Sequence, residues 1–397
     1  MNSHVLIAGA GIGGLTAALS LHAAGIDATV VDSVREIRPL GVGINIQPQA
    51  VGVLTELGLG DALAAVAIPT AEHRYADSRD ELMFTDPRGL ARGYRRPQYS
   101  VHRGELQMLL LDAVRERLGA EAVRTGVRVE RFIQSEEEVR VRVTDRATDA
   151  ASVLSTGLLV GADGLHSAVR AALHPEQGPV LWSGVRMWRG VLETERFLTG
   201  RSAVIATDGP RPDGRHGAQF LAYPISRPAD DRGRSLLNWV ALVTEAEPGP
   251  LDPAAADWNA PARPEDVLPH FEGWRIGGRL VHDLVTGSAL VLRYPMVDRD
   301  PLPRWGEGRV TLLGDAAHPM YPVGANGATQ AIIDAGVLAD HLAAADDPRA
   351  ALTAYETERG EATARIVRAS RRMHESAHSG AGAIDAITSA FRAATGG

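Results

Sequence analysis

The chain has 397 residues, a length for about two domains at roughly 100–200 residues each. Hydrophobic residues at 45% and charged ones at 23% are ordinary for a folded soluble protein and exclude disorder, collagen and coiled coil. Forty-one cationic against 49 anionic side chains leave −8, which does not suit a non-specific binder of nucleic acid or of an anionic membrane. Cysteine is absent, which removes disulfides, thiolate nucleophiles, iron–sulfur clusters and cysteine metal sites and fits a reducing, cytoplasmic setting. Every one of the 41 cations is arginine, so a Walker lysine and Schiff-base chemistry are excluded as well.

The uncharged run 5–21 has no basic flank, is rich in glycine, and falls short of the ~20 residues a membrane span needs. It reads instead as strand, turn and helix. Val5-Leu6-Ile7 fits a buried parallel strand, Gly9 to Gly14 the turn, and Leu15 and Leu19 one face of a helix that ends near Gly25. Thr29-Val30-Val31 is the second strand, closed by Asp32. Residues 50–66 and 104–118 are expected as helices. Val127 and Val129, then Val139, Val141 and Val143, alternate with charges and predict a half-exposed hairpin turning at Ser135–Glu138. Leu158-Leu159-Val160 is a further buried strand.

From about 178 the pattern changes to short β-like runs (180–192, 203–207, 218–225, 236–243, 289–294) between Pro/Gly/Asp loops. Five of the six tryptophans lie between 178 and 302, which marks a distinct sheet domain. Val310 to Leu313 returns to a buried strand, 329–345 and 350–372 are expected as helices, and the glycine-bearing tail from Ser379 as loose.

Three segments carry chemistry. Gly9-Ala10-Gly11-Ile12-Gly13-Gly14 follows a strand, opens a helix, and precedes Asp32 by 18 residues after Gly14. Bare glycines let the backbone approach a pyrophosphate at a helix amino terminus, and the acid accepts from both ribose hydroxyls. This fingerprint alone does not separate FAD from NAD. Gly161-Ala162-Asp163-Gly164-Leu165-His166-Ser167-Ala168-Val169-Arg170 is either a second cofactor segment or a plain strand-to-helix turn capped by Ser167. Leu313-Gly314-Asp315-Ala316-Ala317-His318-Pro319, followed by Pro322 to Thr329, places an Asp at a strand end and a glycine loop before a helix. His374-Glu375-Ser376-Ala377-His378 fits H-E-x-x-H, but reads as a charged helix end; no metal is expected.

In this order and spacing the three segments resemble the single-component FAD-dependent aromatic hydroxylases with the para-hydroxybenzoate hydroxylase fold. The segments 38–48, 99–107, 294–303 and 320–327 are similar to the 5-methylphenazine-1-carboxylate monooxygenase (pyocyanin-type) branch. The resemblance implies an α/β fold (α+β overall): a Rossmann-like FAD-binding domain with an inserted mixed β-sheet substrate domain and C-terminal helices. The FAD domain would be discontinuous, from 1–70, 98–177 and 303–378; 71–97 and 178–302 would form the sheet domain, and 379–397 the tail. Gly9, Gly11 and Gly14 would flank the FAD pyrophosphate and Asp32 would hold the adenosine ribose, with Ile12, Gly13, Ser33, Gly43, Ile44 and Val129 also expected among the cofactor-binding residues. Arg103 and Gln107 would lie along the pyrophosphate and ribityl chain, Asp163 near where the flavin and nicotinamide regions meet, and Asp315 would bind pyrophosphate or ribityl hydroxyls. Gly324, Ala325, Asn326, Gly327 and Ala328 would run beside the pyrimidine ring.

The implied chemistry is NAD(P)H reduction of FAD, then O2 addition at C4a of the reduced flavin to give a hydroperoxide that hydroxylates a planar aromatic or heteroaromatic ring. A phenazine carboxylate hydroxylated with loss of carboxylate is the leading expectation. The flavin supplies the reactivity, so no side chain is expected as a catalyst. Trp188, Arg189, Tyr223 and Tyr321 are expected around the substrate, with Arg189 either meeting a carboxylate or standing as a surface charge. A salicylate-type or other natural-product hydroxylase or epoxidase, a flavin reductase, and a non-catalytic binder of aromatic compounds stay open as alternatives. The expected partners are NADH or NADPH, O2 and the aromatic substrate, with neither nucleic acid nor membrane, in a monomer or homodimer.

Overall fold

A computed structural model describes residues 4–208, 217–252 and 260–377; the tail 379–397 and His378 lie outside the described residues. The amino-terminal βαβ unit forms as its pattern demands. Val5–Ala8 is buried at every position and pairs in parallel with Ala28–Asp32 on one side and Leu158–Gly161 on the other. A strand covered on both faces needs a continuous apolar run rather than alternation. Val123–Thr125 and Val310–Leu312 complete a five-stranded parallel sheet in the order 310–312, 158–161, 5–8, 28–32, 123–125. The chain leaves the central strand to one side and later returns to the other. The carboxyl end of Val5–Ala8 is therefore the point where strand order reverses, the place where open α/β sheets bind ligands.

Val127–Gln134, Val139–Asp145 and Ala151–Thr156 make an antiparallel meander. Val139, Val141 and Val143 are buried while Arg140 and Arg142 are exposed, as the alternation predicts. The third strand was not visible in the sequence. Nor was the break in 50–66, which forms two helices, Pro48–Glu56 and Gly60–Val66, separated at Gly58, where φ is +73°.

The largest sheet is mixed and nine-stranded among the described residues. Its main path runs 260–262, 291–298, 181–195, 234–244, 219–224, 202–207, 72–77, 82–87. All pairs are antiparallel except Glu72–Asp77 with Ser202–Thr207. Segments from either side of the helix Arg103–Leu118 thus share one sheet. Its two faces do different work. One is dry core: Phe220, Trp239 and Val204 pack with Phe271 and Trp274 beneath the helices Pro264–Val267 and Val281–Thr286. The rings of Phe220 and Phe271 meet edge-on at 5.3 Å, those of Phe271 and Trp274 at 5.0 Å. Trp239 settles its buried N–H on Ser288 Oγ at 2.8 Å. The opposite face lines a cavity described below.

Gly190 lies against the Trp239 indole, where a Cβ would come within 2.5 Å of the ring. Gly190→Ala should therefore lower stability by roughly 1–3 kcal/mol through overpacking. Urea unfolding of wild type and variant checks this; an unchanged midpoint would mean that the indole moves freely.

Candidate functional site

Four strands of the parallel sheet deliver their carboxyl ends to one rim. The turn Gly9–Gly14 follows the first, Asp32 ends the second, Asp163 follows Leu158–Gly161, and Asp315 follows Val310–Leu312. At the turn, Gly9 has φ +109°, and a Cβ there would meet the Ala162 carbonyl oxygen at 2.3 Å. A Cβ on Gly14 would stand 1.9 Å from the Gly9 oxygen. Gly13 would touch Leu313 at 2.6 Å. Gly11 differs, because nothing lies within 4 Å of its would-be Cβ. Three of these glycines are bare so that protein can pack; the fourth leaves space open at the rim. No side chain caps the helix Ile12–Ala23 that begins there. Its first-turn amides have no intrahelical acceptors and favour a bound anion.

Asp32 accepts the Ala10 N–H at 2.7 Å and the Val34 N–H at 2.8 Å, one on each oxygen, and stays half-exposed. Each oxygen keeps a lone pair for a hydroxyl. Gln107 donates to the Ala10 carbonyl at 2.8 Å and so pins the turn from the helix Arg103–Leu118. Arg103, one turn earlier, reaches near Asp315 and Tyr294, where its charge offsets the effect of burial on each. Ser33 is half-buried, and its carbonyl accepts from Arg146 at 3.3 Å. Val129 is a buried core residue of the meander.

Asp163 spends its carboxylate on protein. It accepts from the Ser167 hydroxyl and from the Ala168 N–H at 2.8 Å, while Ser167 accepts the Arg170 N–H at 2.9 Å. Burial pushes the Asp163 carboxyl up, and these hydrogen bonds pull it back. The capped-turn reading of this segment therefore describes its hydrogen bonds. Arg170, 2% exposed, donates to the carbonyls of Ala316 at 3.0 Å and Ala317 at 2.9 Å. It ties the Asp-Gly segment to the Gly-Asp segment, a positioning role that the sequence reading left unassigned.

Asp315 faces the cavity and accepts no hydrogen bond from the described residues. Surrounding protein pushes its carboxyl up, against the opposing pull of His318 and Arg103. Beyond it runs Pro322–Gly327, where Gly324 has φ +74° and Ala325 +60°. A left-handed alanine is strained by roughly 1–2 kcal/mol, and the surroundings hold it there. Gln47 donates to the Gly324 carbonyl at 3.2 Å; Thr329 accepts the Gln47 N–H at 3.1 Å and donates to the Ala325 carbonyl at 3.0 Å. Asn326 is 3% exposed, and its Oδ1 has no partner among the described residues. The helix Gly327–Ala344 that follows has no side-chain cap either.

Beneath this loop lies a buried polar cluster. Asp334, fully buried, accepts from His318 at 2.6 Å, from Arg359 at 2.7 Å and from the Gly314 N–H at 3.2 Å. Arg359 also donates to Gln330 at 2.6 Å. Burial alone would raise the Asp334 carboxyl, but His318 and Arg359 outweigh it and hold the group below its usual range.

A cavity of about 370 Å³ joins the loop 324–328 to the inner face of the large sheet. Gly43, Ile44 and Asn45 form one wall; Met187, Ile205, Leu221, Val240, Leu242 and Met296 form the opposite, apolar one. The Gly43 carbonyl accepts from the Tyr223 hydroxyl at 3.0 Å and from Arg189, and its N–H donates to Asn238 at 2.7 Å. Arg189 and Tyr223 line the cavity. Trp188 does not. On a strand, neighbours face opposite sides, so Trp188 points into the dry core beside His270 while Met187 and Arg189 point into the cavity. Tyr321 is also absent from the lining; it is buried behind the wall with Val185 and Met296, its ring 5.7 Å from His374. Met373 and His374 close one side, from a helix held by Arg371 on Asp298 (2.6 and 2.9 Å) and Asp300 (2.7 Å).

Comparison with known proteins gives the class. Residues 2–207 and 286–370 match the FAD binding domain family, and the chain belongs to it. The chain is 52% identical over 369 residues to the phenazine 1,6-dicarboxylic acid hydroxylase PhzS of Lysobacter antibioticus, covering 92% of this chain and 89% of that one. It is 34% identical over 378 residues to the 3-amino-4-hydroxybenzoate 2-monooxygenase PtnB3 of Streptomyces platensis (94% and 88% covered). It superposes on Klebsiella pneumoniae HpxO complexed with FAD and uric acid with a TM-score of 0.78 at 27% identity (99% and 93% covered). Its cofactor is FAD, and it is an FAD-dependent aromatic monooxygenase. The open space at Gly11, the uncapped helix ends, the free lone pairs of Asp32 and Asp315 and the orphaned Asn326 oxygen all fit that cofactor.

Two outcomes follow. Gly11→Val adds its side chain to empty space, so its apoprotein should melt with the wild-type apoprotein while the variant purifies with little flavin absorbance; full FAD content would contradict the assignment of that space. Asp334→Asn removes one partner of a buried charged cluster and should cost roughly 3–5 kcal/mol at pH 7. A carboxyl held low in the folded state contributes stability above its unfolded pKa and loses it as pH falls through the folded one. The gap between wild type and variant in urea should therefore narrow below about pH 4; a gap constant from pH 7 to pH 3 would show that the carboxylate charge is immaterial.

Proposed function

We propose that the chain uses bound FAD, with NAD(P)H and O2, to hydroxylate a planar heteroaromatic acid of the phenazine carboxylate type. When bound, FAD takes hydride equivalents from NAD(P)H and delivers one atom of O2 to the ring. The carrying observation is the cavity, which is lined both by the apolar side chains of the large sheet and by the strained loop 324–328, as a binding site for an apolar ring requires. The relative of highest identity given above acts on a phenazine dicarboxylic acid, which favours this substrate class over benzoates.

The protein's own groups supply the setting. Residues 9–14, with Asp32, Arg103, Gln107 and Asp315, are read as the cofactor's polar seat, and 324–328 as its flavin edge. The amino end of Gly327–Ala344 directs backbone amides at that edge, and such an end stabilises negative charge beside it. Val185, Met187, Leu242 and Met296 keep water from the reacting ring. The Arg371 clamp on Asp298 and Asp300 keeps the Met373 side shut. The two large sheets support dividing the chain into an FAD domain and a substrate domain near the sequence boundaries given above.

The test is aerobic NAD(P)H consumption by the yellow holoenzyme with phenazine-1-carboxylate, salicylate and quinoline acids under isotopic O2. Substrate-stimulated consumption, with one labelled oxygen in a phenazine product, is expected. Consumption without label in any product would favour a reductase; no consumption with any compound would favour a binder.

A further inference from the structure

One end of the cavity is polar in a way the cofactor reading does not use. His73 and Tyr75 lie on the strand Glu72–Asp77 and line the cavity there, with Arg88 behind them. Arg88 is 2% exposed and is ion-paired with Asp86 at 2.8 Å. Asp86 also serves Arg92 at 3.1 Å, so two guanidinium groups share one carboxylate. Among the described residues this corner brings two guanidinium groups and one carboxylate into an apolar cavity.

Two donors face this charge without acceptors. Arg88 donates to the Tyr75 phenol oxygen, and burial pushes the phenol up while Arg88 opposes it, so the group keeps its proton. That proton has no acceptor among the described residues. Tyr75 is held rigid by stacking on Phe84, with ring centroids 4.2 Å apart. His73 sits 3.3 Å from Gln98 Nε2 through its own Nε2. An amide nitrogen only donates, so His73 Nε2 accepts and Nδ1 carries the proton. Burial and the charge of Arg88 hold this ring neutral. Nδ1–H likewise has no acceptor among the described residues. A fixed phenol, a neutral imidazole N–H and a buried guanidinium behind them make a seat for an oxyanion.

We infer that Tyr75 and His73, backed by the charge of Arg88, bind the carboxylate of the aromatic substrate and set which ring edge meets the flavin. This rests on the substrate class proposed above. Tyr75 and His73 touch the ligand; Arg88 positions and polarises Tyr75.

The test measures dissociation constants on holoenzyme, from the perturbed flavin spectrum, for phenazine-1-carboxylate, its methyl ester and unsubstituted phenazine. Wild type should bind the acid at least tenfold more tightly than either neutral compound. Tyr75→Phe, which removes one hydroxyl from a stacked ring, should weaken the acid by about tenfold to a hundredfold and leave phenazine within twofold. Arg88→Met should abolish the preference for the acid at full FAD content, and Arg88→Lys should restore part of it. Wild type that binds the acid no better than phenazine overturns the inference, as does a Tyr75→Phe variant that weakens both alike or neither. Turnover is scored separately: tight, Tyr75-dependent binding of the acid without hydroxylated product would refute the proposed reaction and keep the seat.

Discussion

The whole site depends on how closely three backbone segments converge at the end of the central strand. Nothing larger than hydrogen fits on Gly9 against the Ala162 carbonyl, or on Gly14 against Gly9 itself. Those two contacts fix the distance between Val5–Ala8, the helix Ile12–Ala23 and the strand Leu158–Gly161. With that distance fixed, the helix points its unsatisfied amides at one place, and Gly11 leaves the place empty. Backbone amides at such a helix end suit an anion without any lysine.

The second half of the site is held by side chains that hydrogen-bond its backbone. Arg170 clamps the carbonyls of Ala316 and Ala317; Asp334 gathers His318, Arg359 and the Gly314 amide; Gln47 and Thr329 hold the loop at Gly324 and Ala325. Each hydrogen-bonds the backbone of the Asp315 segment or its continuation, or anchors a group that does. This support lets Ala325 persist with a backbone conformation that most residues avoid.

The parallel sheet was legible because buried strands write continuous apolar runs and end in glycine and aspartate, as Ile7, Val160 and Leu312 illustrate. Asp32, Asp315 and the glycine turn were legible for the same local reason. Trp188 and Tyr321 were misplaced because an aromatic residue signals burial, not which side of a sheet is buried. The alternation that sends Met187 and Arg189 one way and Trp188 the other was present in the run, but only pairing with 234–244 and 291–298 reveals which face is the cavity. Arg88, His73 and Gln98 were invisible for another reason. His73 and Arg88 lie at one end of a strand pair and Gln98 opens a strand of another sheet, with no motif spacing, and only the fold assembles them.

The strand Val310–Leu312, at the edge of the parallel sheet, is contributed after the entire large sheet has been made. A nascent chain that has exposed the glycine turn therefore still lacks the Asp315 edge, and strand Leu158–Gly161 awaits a partner some 150 residues downstream. Pairings so distant in sequence close slowly. The second edge of strand 158–161 therefore stays open to wrong partners until translation has passed Leu312.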